Sequence, residues 1–284
     1  MKIIVSGSAG FLGSNLVKRL IRDVYEVVEW DIMEGNDVCN PNLTADGLDA
    51  IFHLACPVDP EHYQDVALPT ILASSQGTYN MLELAKKNNA KFLYVSSSEV
   101  YGDSTSLPYK EDDPGVVATW GDRAYYGESK RFGEMMTIVY HQYYGLDTRI
   151  VRPFNIYGPG MRHDDSRVIP SFMRNKKEGK SLIVNDLGQS TRTFCYVDDF
   201  IEVLMRAMFY PNTNGQVFNL GSEESITMLQ LASMISSNIK IAEDTRSGEQ
   251  KHRKPDINKA KTILDWQPKI SLKEGLEEMW KNFQ

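Results

Sequence analysis

Tyr126 and Lys130 stand four residues apart in Tyr126-Gly-Glu-Ser-Lys130, at the start of a segment whose pattern predicts a helix over Tyr126–Tyr144. Residues at that spacing share a helix face, so the phenol and the ammonium can point into one cleft. A nearby ammonium favours phenolate and draws the phenol pKa down from about 10 toward working pH. Tyr126 is therefore a candidate general base for a hydroxyl proton, with Lys130 as its electrostatic support. Tyr125 lies five residues from Lys130 and off that face. The spacing alone also fits a helix whose phenol packs inside and whose ammonium is solvated. A second polar group follows the strand-like Lys91–Ser96, in Ser96-Ser97-Ser98-Glu99-Val100-Tyr101-Gly102. In parallel sheets ligands sit beyond the carboxyl ends of strands, where these hydroxyls and this carboxylate would meet a substrate. A polar loop end without a ligand is the other reading.

Gly7-Ser8-Ala9-Gly10-Phe11-Leu12-Gly13 falls between a β-branched run, Lys2–Ser6, and the helical pattern Phe11–Arg22. At such a turn one glycine permits the bend, one lets backbone approach a pyrophosphate, and one lets helix and strand pack closely. The helix N-terminus then offers free N–H groups and the positive end of its dipole to phosphate. A glycine triplet alone is weak evidence; its position after a strand and before a helix is what makes it a dinucleotide loop. Asp31 ends the next strand, Glu26–Trp30, where a carboxylate could accept bonds from the adenosine ribose or serve only as a turn residue. Ile32 and Met33 follow it, with no Arg for a 2′-phosphate, so NAD is expected over NADP. With NAD as hydride acceptor, Tyr126 becomes the base for a hydroxyl being oxidised.

These groups need a scaffold. Strand patterns at Lys2–Ser6, Glu26–Trp30, Ala50–Ala55, Lys91–Ser96 and Thr148–Phe154 alternate with helical ones at Phe11–Arg22, Thr78–Asn88 and Tyr126–Tyr144. Such alternation means βαβ units and a doubly wound, Rossmann-type parallel α/β sheet. After Tyr157 the texture breaks into Gly-Pro-Gly-Met, Pro170 and two turn-rich stretches. We expect an NAD-binding domain over 1–157 and a smaller mixed α/β substrate lobe over 158–284, with Val217–Leu220 returning to the first sheet.

A net charge of −7 argues against an electrostatically driven nucleic-acid binder. No run approaches the roughly 18 apolar residues of a membrane span. Glycines interrupt the N-terminal apolar run where a secretory leader would continue. Cys39, Cys56 and Cys195 are scattered and odd in number, so no disulfide framework and no metal cluster is expected, and a reducing cytoplasm fits.

Together these signals resemble the extended short-chain dehydrogenase/reductase family of NAD-dependent epimerases and dehydratases. Nearly the whole chain can be matched, including His53-Leu54-Ala55, Arg152-Pro-Phe-Asn155-Ile-Tyr157-Gly-Pro159, Arg192 with Tyr196-Val-Asp-Asp199, and Asn219-Leu-Gly221. The resemblance implies Ser97, Tyr126 and Lys130 as the catalytic trio. It places Gly7, Gly10, Phe11, Leu12, Gly13, Asp31, Leu54 and Ala55 along NAD, with Asp37 and Val38 at the adenine. The stretch from Asp31 to Ala50 is shorter than usual for the family. A homodimer through helices near Pro69–Lys86 and Tyr126–Tyr144 is also implied.

Within the family, four stretches are most similar to UDP-glucuronate decarboxylases (UDP-xylose synthases) and the related decarboxylase of lipid modification. They are Ser98-Glu99-Val-Tyr-Gly-Asp103, Arg123-Ala-Tyr-Tyr126-Gly-Glu-Ser-Lys130-Arg131, Arg167-Val-Ile-Pro-Ser-Phe and His252-Arg253-Lys-Pro-Asp256-Ile. The likeness implies that Glu99 and Arg253 lie near the substrate carboxylate, beside Ser98. It gives the nucleotide diphosphate to Asn155 and Arg192, with Arg167 as a weaker candidate. On its own, Arg253 sits in a charged run, Glu249–Lys254, of the kind that is usually a solvated face. His53 is expected to be a strand-end packing residue. The rival readings are a UDP-sugar 4-epimerase, a 4,6-dehydratase, against which Ser98 counts because an acid normally precedes Glu99 there, and a catalytically silent NAD-binding module.

Overall fold

Ile3 and Val5 of β1 (Lys2–Ser6) belong to one apolar cluster and Ile4 to another. A strand buried on both faces divides its side chains in this way, because its period is two residues. The computed structural model describes residues 1–58, 63–121, 124–243 and 251–283. After β1 come α1 (Phe11–Arg22), β2 (Glu26–Trp30), β3 (Ala50–His53), α2 (Tyr63–Leu72), α3 (Thr78–Asn88), β4 (Lys91–Val95), α4 (Ala124–Tyr144) and β5 (Thr148–Pro153). The remainder is β6 (Ile156–Tyr157), α5 (Val168–Lys177), β7 (Leu182–Val184), β8 (Thr191–Thr193), β9 (Cys195–Tyr196), α6 (Val197–Phe209) and β10 (Gln216–Leu220). It closes with β11 (Ser225–Thr227), α7 (Met228–Ile235), β12 (Ile239–Ile241), α8 (Asn258–Ile263) and α9 (Leu272–Phe283).

Six parallel strands form the central sheet in the order β2-β1-β3-β4-β5-β10. Apolar residues of α1 and α6 cover the face carrying Ile3, Val95 and Phe218, while those of α3 and α4 cover the face carrying Ile4, Phe92 and Ile150. This is the expected doubly wound Rossmann-type sheet. The chain steps outward from β1 to β2, then returns to the far side of β1 as β3. That reversal is the topological switch point, where a crevice opens beyond the carboxyl ends of the strands. The return of Val217–Leu220 to the first sheet is observed, as β10 beside β5.

The second lobe is mixed, with α5, α7 and α9 around three two-stranded pairs: parallel β7–β12 and β6–β9, and antiparallel β8–β11. The larger apolar cluster runs without a break from Ile3 to Phe283 and so spans both lobes.

Several bounds differ from the sequence pattern, for local reasons. β3 ends at His53 because the N–H groups of Leu54 and Ala55 turn to the Ser6 hydroxyl at 3.2 and 3.4 Å. α4 begins two residues before Tyr126, at Ala124. α2 continues through a π turn (Ala73–Gly77) into α3, so the helical region begins upstream of Pro69. Between β2 and β3 the short span holds only a 3-10 turn (Ile32–Glu34) in place of a crossover helix. No helix among the described residues is long and apolar enough to cross a membrane.

Candidate active site

The three loop glycines have separate jobs. Gly7 takes φ +77°, and a Cβ there would lie 2.8 Å from the Ala55 nitrogen. A Cβ on Gly13 would sit 1.9 Å from the Gly7 carbonyl oxygen, so that position joins helix to strand. Gly10 caps α1 in extended conformation and is exposed, leaving backbone open to an approaching phosphate. Phe11 and Leu12 form the first turn of α1, half-buried. A dinucleotide therefore fits here, with its pyrophosphate at the helix N-terminus.

Asp31 does more than wait for a ribose. Its Oδ2 accepts from the Ala9 N–H at 3.0 Å and its Oδ1 from the Met33 N–H at 3.0 Å, which ties β2 to the loop. On the adenine side, the Asp37 carboxylate accepts from the Cys39 N–H. Val38 is wedged where a Cβ on Gly77 would meet it at 2.7 Å. Asn80 holds that turn, donating to the carbonyls of Val38 and Asn40 at 2.9 and 3.1 Å. Sequence reading missed Asn80; the signal was a buried amide amid the apolar residues of α3. His53 is buried between Ser6 (2.6 Å) and Thr78 (3.1 Å), the packing role expected of it. Burial, and then the charge of Lys130, push its imidazole pKa down to about 3.

Beyond β4 the proposed trio comes together. The Lys130 ammonium is buried, donates to the Val95 carbonyl at 3.0 Å and lies 5.1 Å from the centre of the Tyr94 ring. Ser97 caps the turn that carries Glu99, accepting the Glu99 N–H at 3.2 Å. Burial raises the Tyr126 pKa above its ordinary value, while Lys130 and Ser97 pull it down. The lowering influence of Lys130 is thus present, but burial outweighs it.

Glu99 and Arg253, 154 residues apart in sequence, form a bidentate pair with contacts of 2.6 and 2.8 Å. The Arg253 side chain is only 7% exposed, so this part of the charged run is an interior wall rather than a solvated face. Residues 251–255 achieve this by lying as an edge segment. Arg253 N–H donates to the Thr191 carbonyl on one side, and Tyr109 N–H donates to the Lys254 carbonyl on the other. Arg123 and the start of the run, Glu249 and Gln250, lie outside the described residues.

Behind these groups lies a polar network that the sequence did not single out. Arg152 on β5 grips Glu134 on α4 at 2.8 and 2.7 Å, both buried, and donates to the Tyr101 hydroxyl at 2.8 Å. Tyr101 donates in turn to Asn219 on β10 at 2.6 Å. Glu134 is one helical turn from Lys130, and Tyr101 is two residues from Glu99. The network thus fixes both groups to one frame.

The nucleotide-side residues divide. Arg192 is buried and donates to the carbonyls of Thr191 and Lys251, at 2.9 and 3.1 Å. Asn155, at φ +44°, donates to the Thr193 carbonyl at 2.9 Å. Arg192 is thus a residue of β8, and Asn155 and Arg253 are both bonded to β8 carbonyls, at Thr193 and Thr191. Ser98 is buried in the turn beside Glu99. Arg167 is placed differently: it is paired with Asp165 and set over the Phe11 ring of the dinucleotide loop.

Residues 3–221 match the model of the NAD dependent epimerase/dehydratase family. UDP-glucuronic acid decarboxylase 5 of Arabidopsis thaliana is 39% identical over 310 aligned residues, covering all of this chain and 89% of the relative. UDP-glucuronic acid decarboxylase 1 of Danio rerio is 35% identical, covering 99% of this chain and 72% of the relative. Among solved structures, UDP-glucuronic acid 4-epimerase from Bacillus cereus, in complex with UDP-glucuronic acid and NAD, superposes with TM-score 0.85 and 28% identity. That superposition covers all of this chain and 99% of the epimerase. The family match over residues 3–221, with full-length relatives at 35–39% identity, settles the kinship: this chain belongs to the NAD-dependent epimerase/dehydratase family.

Proposed function

We propose that the protein decarboxylates UDP-glucuronate through a 4-keto intermediate, giving UDP-xylose or the 4-keto pentose. The observation that carries this reading is the Glu99–Arg253 pair, with its guanidinium buried and its carboxylate half-buried, set in the turn beyond β4 that also carries Ser97. Full-length relatives bearing the decarboxylase name support it. Residues 1–157 would hold the cofactor and 158–284 the nucleotide sugar, with α6 and β10 returning to the first sheet; the mixed strand pairs after Tyr157 support this division. The family's cofactor, NAD, would supply the hydride acceptor for C4 of the sugar and, where UDP-xylose is the product, the hydride donor that restores it. Gly7, Gly10, Gly13 and Asp31 would hold it, with Leu54 and Ala55 along its length and Asp37 and Val38 at the adenine.

The remaining chemistry belongs to the side chains. Tyr126, as phenolate, takes the proton of the C4 hydroxyl, with Ser97 hydrogen-bonded to the same oxygen and Lys130 favouring the charged form. A ketone at C4 makes the carboxylate on C5 a β-keto acid, so the electrons of the breaking C–C bond flow into the carbonyl as CO2 leaves. Arg253 faces the carboxylate, and Asn155 and Arg192 hold the diphosphate. The pairing of Arg253 with Glu99 has a physical use. An isolated guanidinium would stabilise the substrate carboxylate and so resist its loss, whereas a neutralised one orients it with less ground-state stabilisation. Protonation at C5 completes the replacement.

The same proposal extends to assembly in the cytoplasm as a homodimer. Leu68, Ile71, Tyr79, Phe132, Met135 and Tyr143 are exposed on α2, α3 and α4, and this apolar surface supports pairing through those helices. Sedimentation as a monomer at micromolar concentration would refute that part. For the activity, incubating the purified protein with UDP-glucuronate and NAD and weighing the product separates the readings. Loss of one CO2 is expected; an isomer of unchanged mass would mean a 4-epimerase.

A further inference from the structure

We propose that residues 158–167 form a strap over the pyrophosphate end of the cofactor, and that Arg167 is its phosphate contact. The strap leaves β6 on the substrate side of the cleft, yet it rests on the dinucleotide side. Asn15 of α1 donates to the Pro159 carbonyl at 3.2 Å. Gly160 backs onto the same turn: a Cβ there would lie 3.0 Å from the Asn15 amide nitrogen and 3.7 Å from the Phe11 ring. The Arg167 guanidinium lies 5.6 Å from the centre of that ring. On the other flank, Arg174 of α5 donates to the carbonyls of His163 and Asp165 at 2.8 and 3.2 Å, which holds the strap from behind.

Phe11 is the first helical residue of α1, so its own N–H and those of Leu12 and Gly13 are the unpaired donors that a pyrophosphate would occupy. A guanidinium stacked on the Phe11 ring is within one side chain's length of that anion. Its orientation suits the task. The Asp165 carboxylate is the inner partner, with its side chain 13% exposed, while the Arg167 side chain is 44% exposed and carries the positive end outward. Asp165 also accepts Arg167's backbone N–H at 2.9 Å, which fixes the base of the side chain. A planar guanidinium can keep one edge on Asp165 and present the other to phosphate.

Slower release of the cofactor follows, since the Arg167 contact to its pyrophosphate must break before it leaves. The inference rests on the UDP-xylose outcome of the reading above, in which the hydride taken from a sugar returns to that same sugar; early release of the reduced cofactor would interrupt the cycle.

The test is release of NADH from the full chain, followed by rapid-mixing fluorescence, beside the affinity for UDP measured by calorimetry. Arg167→Gln is expected to raise the NADH dissociation rate by roughly tenfold or more, as loss of a charge-assisted contact predicts. Arg167→Lys, which keeps the charge but not the two-edged guanidinium, should recover only part of the loss, and UDP affinity should hardly change. An unchanged dissociation rate with weakened UDP binding would overturn the proposal and return Arg167 to the sugar nucleotide. The assay needs no turnover. A protein that retains NADH through Arg167 but never releases CO2 would support the strap while sinking the decarboxylase reading.

Discussion

The carboxyl end of the sheet carries two functional clusters built by opposite means. The dinucleotide cradle is made of consecutive residues, Gly7 to Gly13, whose shape follows from one bend and one helix start. The Glu99–Arg253 pair joins residues 154 apart, and it exists only because residues 251–255 are pinned between β8 and Tyr109. A local cradle serves a cofactor shared by many reactions, while an assembled pair can be changed without touching the cradle. The comparison suggests that redox capacity and reaction choice are physically separable in this molecule.

The largest effect should come at the group both clusters need. Tyr126→Phe is expected to lower turnover by roughly a thousandfold, as loss of a general base does, with NADH affinity kept. Equal loss of NADH binding would show that the phenol belongs to the cradle instead. Next, Gly13→Val drives a side chain into the Gly7 carbonyl and should weaken NADH binding by roughly a hundredfold, while UDP binding survives. Arg152→Met breaks a buried ion pair of the frame behind both clusters, and should cost about 3–5 kcal/mol in denaturant unfolding.

A smaller effect tests the electrostatics. Lys130 pulls the Tyr126 pKa down against the larger influence of burial, so Lys130→Met leaves burial less opposed. The acid limb of the kcat/KM profile, which rises as the phenol deprotonates, should move to higher pH. A shift to lower pH would contradict the assignment. A last test, remote from the chemistry, concerns His53. Its folded pKa, near 3, lies below the ordinary 6.5, so below pH 6.5 the unfolded chain binds a proton that the folded one refuses. Stability should therefore fall as pH drops from 6.5 toward 3, by at most about 1.4 kcal/mol per pH unit from this group. Unfolding of His53→Gln should show a shallower slope.

The same contrast explains what the sequence disclosed. β1, α1, β2 and α3 have the bounds their patterns predict, because a β-branched run or a helical repeat is a local property. The glycine loop was legible for the same reason. Arg253 was legible only through the family likeness: on its own a charged run looks solvated until Glu99 and the edge of β8 are placed beside it. The Arg152–Glu134–Tyr101–Asn219 network stayed hidden because its members come from four separate segments, each unremarkable alone. The π turn escaped because Ala73–Gly77 has no pattern that separates it from an ordinary helix. Arg167 stands between these cases. A resemblance pointed it at the substrate, and the position of Phe11 under its guanidinium is the observation behind the cofactor-side proposal.

Separability itself can be tested by mixing NAD-loaded protein with UDP-glucuronate and following NADH absorbance and CO2 together, for the native chain and for Arg253→Met. The account predicts that NADH forms no later than CO2 in the native protein. In the variant NADH should still form while CO2 release slows by roughly a hundredfold, the scale of one lost transition-state contact. Release of CO2 with no NADH at any time, or at the native rate from Arg253→Met, would contradict it.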